Sequence, residues 1–345
     1  MAAEFVEIDG RRVRVRPSEL LNEIDAEGYF HRQENHFKTG FGPGLNPVEK
    51  DRYILFWAKG CNWSNRASIV RELLGLQDAI KVEIMGQGTD AFSEEKPLGW
   101  EFVNSPNHIN PETGARFLSE IYYNTDPSYE GRCTAPTLVD YKTGKVANND
   151  YHRLTNYFEV DFKPFHKEHA PDLYPEELQG EIDKLNWWLF NNVNNAVYKT
   201  NFAQSLKAYA ENYEIFFSSL DELDKRLEDK RFLYGDYVTD SDVRLFVTLA
   251  RFDAGYSRGF GPVKKRIVDY KNLWPYARDL YQIPAFFHNS YVITERHEPD
   301  LDRPYKRNVF YDFVLPNTDL DKVWRQQTER AWLSSDPYNK FRYES

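Results

Sequence analysis

Tyr53-Ile54-Leu55-Phe56-Trp57-Ala58-Lys59-Gly60-Cys61-Asn62-Trp63-Ser64-Asn65-Arg66 carries an apolar strand into an amphipathic helix, and Cys61 stands at the join. The run from Tyr53 to Trp57 has the length and the aromatic and β-branched content of a buried strand. From Trp63 onward, Ala67, Val70 and Leu74 recur at helical spacing and Gly75 lies near the end, which predicts a helix over 63–74. Lys81 to Ile84 then reads as a short second strand, completing a βαβ unit. The first turn of a helix presents unpaired N–H groups and the positive end of the macrodipole, both of which favour an anion. A cysteine at that position has an electrostatic reason to be a thiolate, the nucleophilic form.

Downstream, a stretch rich in Gly, Pro, Ser and Asn reads as irregular, followed by strand candidates at Pro136 to Val139 and Lys145 to Ala147. The turn Asp140-Tyr141-Lys142-Thr143-Gly144 is short enough to make them a hairpin, and a helix is predicted to begin near Asp150. Pro164, Pro171 and Pro175 punctuate residues 162–175, the signature of an interdomain linker. Beyond it the pattern is helical. Tyr209, Tyr213, Phe216, Leu220 and Leu223 form one stripe, and Leu245, Leu249, Phe252 and Tyr256 another. Thr239 and Asp242 have the spacing of a capping box at the start of the second of these helices, and a helical bundle is the natural product. The last 45 residues show no clear periodicity until Asp321 to Trp332, a further helix candidate.

Composition narrows the function classes. A chain of 345 residues, 41% hydrophobic and 16% aromatic, can bury substantial cores and has the length of two domains. Lys plus Arg number 44 against 54 Asp plus Glu, a net charge of −10, and no long basic stripe offers itself to a phosphate backbone; nucleic acid is not an expected partner. The start of the chain lacks a basic and then apolar leader, and no apolar run reaches the roughly 18 residues that span a bilayer, so a cytoplasmic protein with no membrane partner is expected. The two cysteines, Cys61 and Cys133, make no disulfide framework, which fits a reducing compartment and leaves thiol chemistry available. Cys133 reads as a buried apolar residue. His166 and His169 lack a neighbouring carboxylate or cysteine cluster, so no metal site is expected.

A βαβ unit followed by a hairpin, a cysteine opening the first helix and a proline opening the next strand make the layout of a thioredoxin-like domain. With an all-helical second domain, the chain resembles a glutathione transferase. One subgroup fits best. The runs Gly28-Tyr29-Phe30-His31-Arg32-Gln33, Cys61 to Arg66, Gly99-Trp100-Glu101-Phe102 and Gly131-Arg132-Cys133-Thr134-Ala135-Pro136 have counterparts, in order, in the glutathionyl-hydroquinone reductases, the Xi class. So do Asn194-Asn195-Ala196-Val197-Tyr198-Lys199, Arg251 to Tyr256 and Asp279-Leu280-Tyr281-Gln282. The resemblance spans about residues 28–285 and implies α/β plus all-α architecture: a thioredoxin-like thiol-binding domain with its N-terminal extension over 1–160, a linker over 161–175, an all-helical domain over 176–300 and a C-terminal extension over 301–345.

The resemblance also implies a reaction and a site. A thiol-dependent reductase of this kind removes glutathione, or a similar low-molecular-weight thiol, from quinol conjugates through a mixed disulfide on Cys61. Trp100 and Arg132 match glutathione-site residues, the Arg being suited to a carboxylate. Ala135 matches the residue whose backbone pairs with the cysteinyl amide, ahead of Pro136, and Tyr198 matches a catalytic tyrosine whose hydroxyl faces the quinol oxygen, where a phenol can donate a hydrogen bond or act as an acid. Asp150 and Tyr151 stand where the family has a Glu-Ser pair that grips the γ-glutamyl end. Tyr256 and Tyr305 are candidates for the substrate site. A homodimer acting on a small thiol and a quinone-type electrophile, without a metal, is expected. Departures are equally visible: Asn62 stands where the family usually has proline, and Phe260-Gly261-Pro262-Val263 replaces its Phe-Lys-Cys-Asn segment. Two other readings stay open, a conjugating transferase in which the bound thiol itself attacks, and a non-catalytic binding protein on the same fold.

Overall fold

The computed structural model describes residues 4–16, 23–58, 60–87, 98–290 and 320–333. Strands β1 (Phe5–Ile8) and β2 (Arg11–Arg14) form a hairpin of their own through a turn at Asp9 and Gly10, both at positive φ. The central sheet is built from β3 (Tyr53–Ala58), β4 (Ile80–Gln87), β5 (Trp100–Glu101), β6 (Thr137–Asp140) and β7 (Lys145–Asn148) in the order β5-β4-β3-β6-β7. β3 and β4 run parallel, with Tyr53 opposite Ile80, and every other pairing is antiparallel. This is a thioredoxin-like sheet with one added edge strand, β5. Its parallel pair requires a crossover, and α1 (Asn62–Leu73) supplies it.

Burial explains why β3 is a continuous apolar run. Tyr53, Leu55 and Trp57 point to one face, into a core with Ala67, Ile69, Val70 and Leu73 of α1. Ile54, Phe56 and Ala58 point to the other, into a second core with Leu118, Ile121 and Tyr122 of α2 (Leu118–Thr125). α2 falls within the stretch whose composition reads as irregular. Glu120 explains the helix there, because its carboxylate accepts the backbone N–H groups of Arg116 and Phe117 at 2.8 and 2.9 Å and so starts the turn.

After the sheet come α3 (Leu154–Val160), α4 (Gln179–Leu189), α5 (Ala196–Asn201), α6 (Leu206–Arg226), α7 (Asp240–Phe252), α8 (Leu273–Tyr281), α9 (Pro284–Ser290) and α10 (Leu320–Trp324). A wide helical turn, Phe190–Asn194, joins α4 to α5. The helix expected near Asp150 starts four residues later, because Asp150 serves the preceding turn. The expected helix over Asp321 to Trp332 is broken into α10 and a 3-10 turn at Glu329–Leu333. Tyr256 falls outside the α7 stripe, in a 3-10 turn over Tyr256–Phe260. The capping box of α7 is present, with the Thr239 N–H donating to Asp242 at 2.8 Å. Phe162 and Leu173, from the proline-rich segment, are buried in the core that also holds α1 and α7. Among the described residues no helix is long and apolar enough to cross a membrane.

Candidate active site

Cys61 caps α1 at the end of β3, where the parallel strand pair opens. Its backbone is extended (φ −106°, ψ 113°), its N–H donates to the Ala58 carbonyl at 3.0 Å, and its carbonyl accepts from Asn65 N–H at 2.9 Å. The side chain makes no capping bond; Sγ lies 3.4 Å from the carbonyl oxygen of Ala135. The thiol borders a cavity of about 250 Å³ lined also by Trp100, Arg132, Ala135, Tyr151 and Tyr198. Six of the residues named from sequence therefore meet at one cavity. The Ala135-Pro136 peptide bond on its wall is cis. Cys133 reaches the same cavity, but burial pushes its thiol up to about 12, so it stays protonated at neutral pH.

Opposite the thiol stands a pair of phenols. Tyr198, in α5, lies with its hydroxyl 2.8 Å from that of Tyr256, and Tyr256 donates to the side-chain oxygen of Asn62. The Tyr198 hydroxyl is itself 3.4 Å from the same oxygen. Burial raises both phenols above the ordinary tyrosine range, so both hold their protons at neutral pH.

Three sequence-named residues take on internal partners. Arg132 already holds a carboxylate: Glu23, buried, accepts from its guanidinium at 2.6 Å, while Gln33 accepts from the Arg132 N–H at 2.7 Å. Asp150 accepts from the N–H groups of His152 and Arg153 and from the Asn35 amide, at 3.0, 3.2 and 3.2 Å, all on one carboxylate oxygen. Tyr151 donates its N–H to the Asn149 carbonyl, and its ring packs between Trp63 (5.0 Å) and Phe190 (5.8 Å). His166 donates to the Phe158 carbonyl and His169 is exposed beside Glu168; among the described residues no cluster could hold a metal ion. Tyr305 lies outside the described residues.

Sequence reasoning gave no role to Glu23, Gln33 or Arg32. Arg32 stacks over Tyr198 at 4.3 Å and Trp63 at 5.3 Å, and its Nε donates to Asn195 at 2.7 Å. It sits inside the run Gly28 to Gln33, whose place in the ordered motifs marked the segment without saying what the arginine does.

The comparisons bear on this geometry. Residues 207–279 match the glutathione S-transferase C-terminal domain. The chain is 38% identical over 250 residues to the glutathionyl-hydroquinone reductase YqjG of Escherichia coli, covering 71% of this chain and 73% of that protein. It belongs to the glutathionyl-hydroquinone reductase family. Among solved structures, the Xi glutathione transferase of Phanerochaete chrysosporium aligns with a TM-score of 0.72 at 36% identity, over 78% of this chain and 87% of that one. The glutathione-bound structure of Escherichia coli YqjG aligns with a TM-score of 0.67 at 34% identity, over 77% and 86%. Asn62 puts a hydrogen-bond acceptor beside Tyr198 and Tyr256, and Tyr151 puts an aromatic ring on the wall of the thiol cavity.

Proposed function

We propose that this Xi-class enzyme is a thiol-dependent reductase that takes glutathione off quinol conjugates through Cys61. The Cys61 thiolate attacks the sulfur of the conjugate, forming a Cys61–glutathione disulfide. The bond from sulfur to the aromatic carbon breaks, its electron pair stays on the ring, and that carbon takes a proton to give the hydroquinone. A second glutathione attacks the mixed disulfide, releasing oxidised glutathione and restoring the thiolate. Trp100, Ala135 and the turn at Asp150 and Tyr151 form the thiol's side of the site, and Tyr198 with Tyr256 faces the quinol oxygen. Homodimerisation and a cytoplasmic location accompany this reading, supported by the family resemblance and by the sparse cysteine content.

The observation that carries the reading is a thiol at the start of α1, bordering the same cavity as the Tyr198 ring. A conjugating transferase would leave that thiol idle. Replacing Cys61 with alanine is expected to lower release of hydroquinone from glutathionyl-hydroquinone by at least about a thousandfold, as loss of a nucleophile does, with circular dichroism unchanged. Turnover preserved in the variant would return the role of attacking group to the bound thiol.

A further inference from the structure

A second cavity, of about 440 Å³, adjoins the thiol cavity and shares Phe30, Arg32, Asn35 and Tyr151 with it. Its volume suits a substituted aromatic ring. One wall is a run of rings: Trp187 stacks on Phe190 (5.5 Å, 19° between planes), and Phe190 stacks on Tyr151 (5.8 Å, 24°).

The charges around this cavity do not cancel. Lys38 pairs with Glu34 at 3.3 Å and His31 with Asp25 at 2.6 Å. Asp150 spends one oxygen on the turn and Asn35, and burial together with the nearby Arg244 pushes His152 down to about 3, so it is neutral. Two cations remain. Arg32 uses Nε on Asn195, but its Nη2 is buried and has no hydrogen-bond partner among the described residues. Lys199 lines the same cavity, half-buried, with no ion pair or side-chain hydrogen bond among the described residues. Asn195 and Lys199 are one helical turn apart, so α5 brings the lysine to the side on which Arg32 is held. A buried guanidinium nitrogen without an acceptor is costly, and a carboxylate is the group whose geometry it matches.

We propose that this second cavity takes a carboxylate carried on the aromatic ring of the substrate, held between Arg32 and Lys199, so that the preferred conjugates are those of quinols bearing an acid group. The proposal rests on the reductase reading for the identity of the ring. Asp150 and Tyr151, on the thiol's side of the site, also line this cavity, so the γ-glutamyl carboxylate is the competing source, which the kinetics below separate; the ring is preferred because α5 carries Lys199 on this cavity and Tyr198, the quinol-facing residue, on the thiol cavity.

Steady-state kinetics of the full chain with three conjugates tests this: glutathionyl-hydroquinone, glutathionyl-gentisate, and the cysteinylglycine adduct of gentisate. The gentisate conjugate is expected to be favoured in kcat/KM on the order of tenfold. Lys199→Met should remove that preference through KM, leave the uncharged-ring conjugate unchanged, and be rescued by Lys199→Arg. Equal kcat/KM for the first two conjugates would overturn the proposal. So would a Lys199→Met penalty that follows the γ-glutamyl group, falling on glutathionyl-hydroquinone and sparing the cysteinylglycine adduct. Calorimetric titration with free gentisate and free hydroquinone separates the two readings. Gentisate-selective binding lost in Lys199→Met, without turnover of any conjugate, would keep the cavity assignment and sink the reductase reading; no gentisate selectivity in binding would sink the assignment itself.

Discussion

At the start of α1 the Asn62 side-chain oxygen faces two phenols, and an amide oxygen can only accept. Tyr256 gives its proton to Asn62, so the 2.8 Å contact between the tyrosines is donated by Tyr198. Both phenolic protons are thereby used inside the triangle, and Tyr198 presents a lone pair to the cavity. It can accept a hydrogen bond from a quinol hydroxyl without supplying a proton. Asn62→Ala, by removing the acceptor, is expected to raise KM for glutathionyl-hydroquinone about five- to tenfold, the loss of one net hydrogen bond, with kcat little changed. A collapse of kcat at unchanged KM would mean that Tyr198 works as an acid and that the acceptor reading is wrong. At this scale the sequence was informative where chemistry is local. Cys61 was legible because a helix start acts on whichever residue occupies it. Arg32 was not, because its partner Asn195 and the rings of Trp63, Tyr151 and Tyr198 come from distant segments.

Among elements, α1, α3, α4 and α7 meet at a buried polar cluster. Asp240 accepts from Arg244 at 2.6 Å and from Asn186 at 2.9 Å, and Arg66 of α1 lies close by. Glu159 of α3 joins this cluster with one oxygen held by Asn156 at 2.9 Å and the other without a hydrogen-bond partner among the described residues. Burial, reinforced by the charge of Asp240, raises the Glu159 carboxyl well above its ordinary value. A carboxyl raised on folding binds its proton more tightly in the native state, so its contribution is complete below the unfolded value, about 4.3, and declines as pH rises above it. Glu159→Gln should therefore raise the melting temperature at pH 8 relative to wild type and leave it nearly unchanged at pH 4. An equal shift at both pH values would show that folding does not raise the Glu159 carboxyl. The capping box at Thr239 and Asp242 was readable from four residues. The β1–β2 hairpin carried an equally local signal, the Asp9-Gly10 turn between alternating residues, which the reading passed over. α2 was hidden because what starts it, a side chain reaching back to two N–H groups, resembles loop composition until Glu120 is placed.

Across the molecule the sheet and the bundle share one core. Leu55 and Trp57 of β3 lie in the same buried cluster as Leu245 and Leu249 of α7, and α1 packs on both α7 and α9. Heat or denaturant should accordingly unfold the chain in a single transition, with far-ultraviolet dichroism and tryptophan fluorescence tracing the same curve; two separated transitions would show that the sheet or the bundle stands alone. The same packing fixes the thiol cavity, since Cys61 caps α1 and Tyr198 rides on α5. The most direct test of the reaction is intact-mass and peptide mass spectrometry after mixing the enzyme with a stoichiometric amount of glutathionyl-hydroquinone and no free glutathione. One glutathionyl group in disulfide linkage on the Cys61 peptide and one hydroquinone released per chain are expected. Release of hydroquinone with Cys61 unmodified, or the adduct on Cys133 instead, would contradict it.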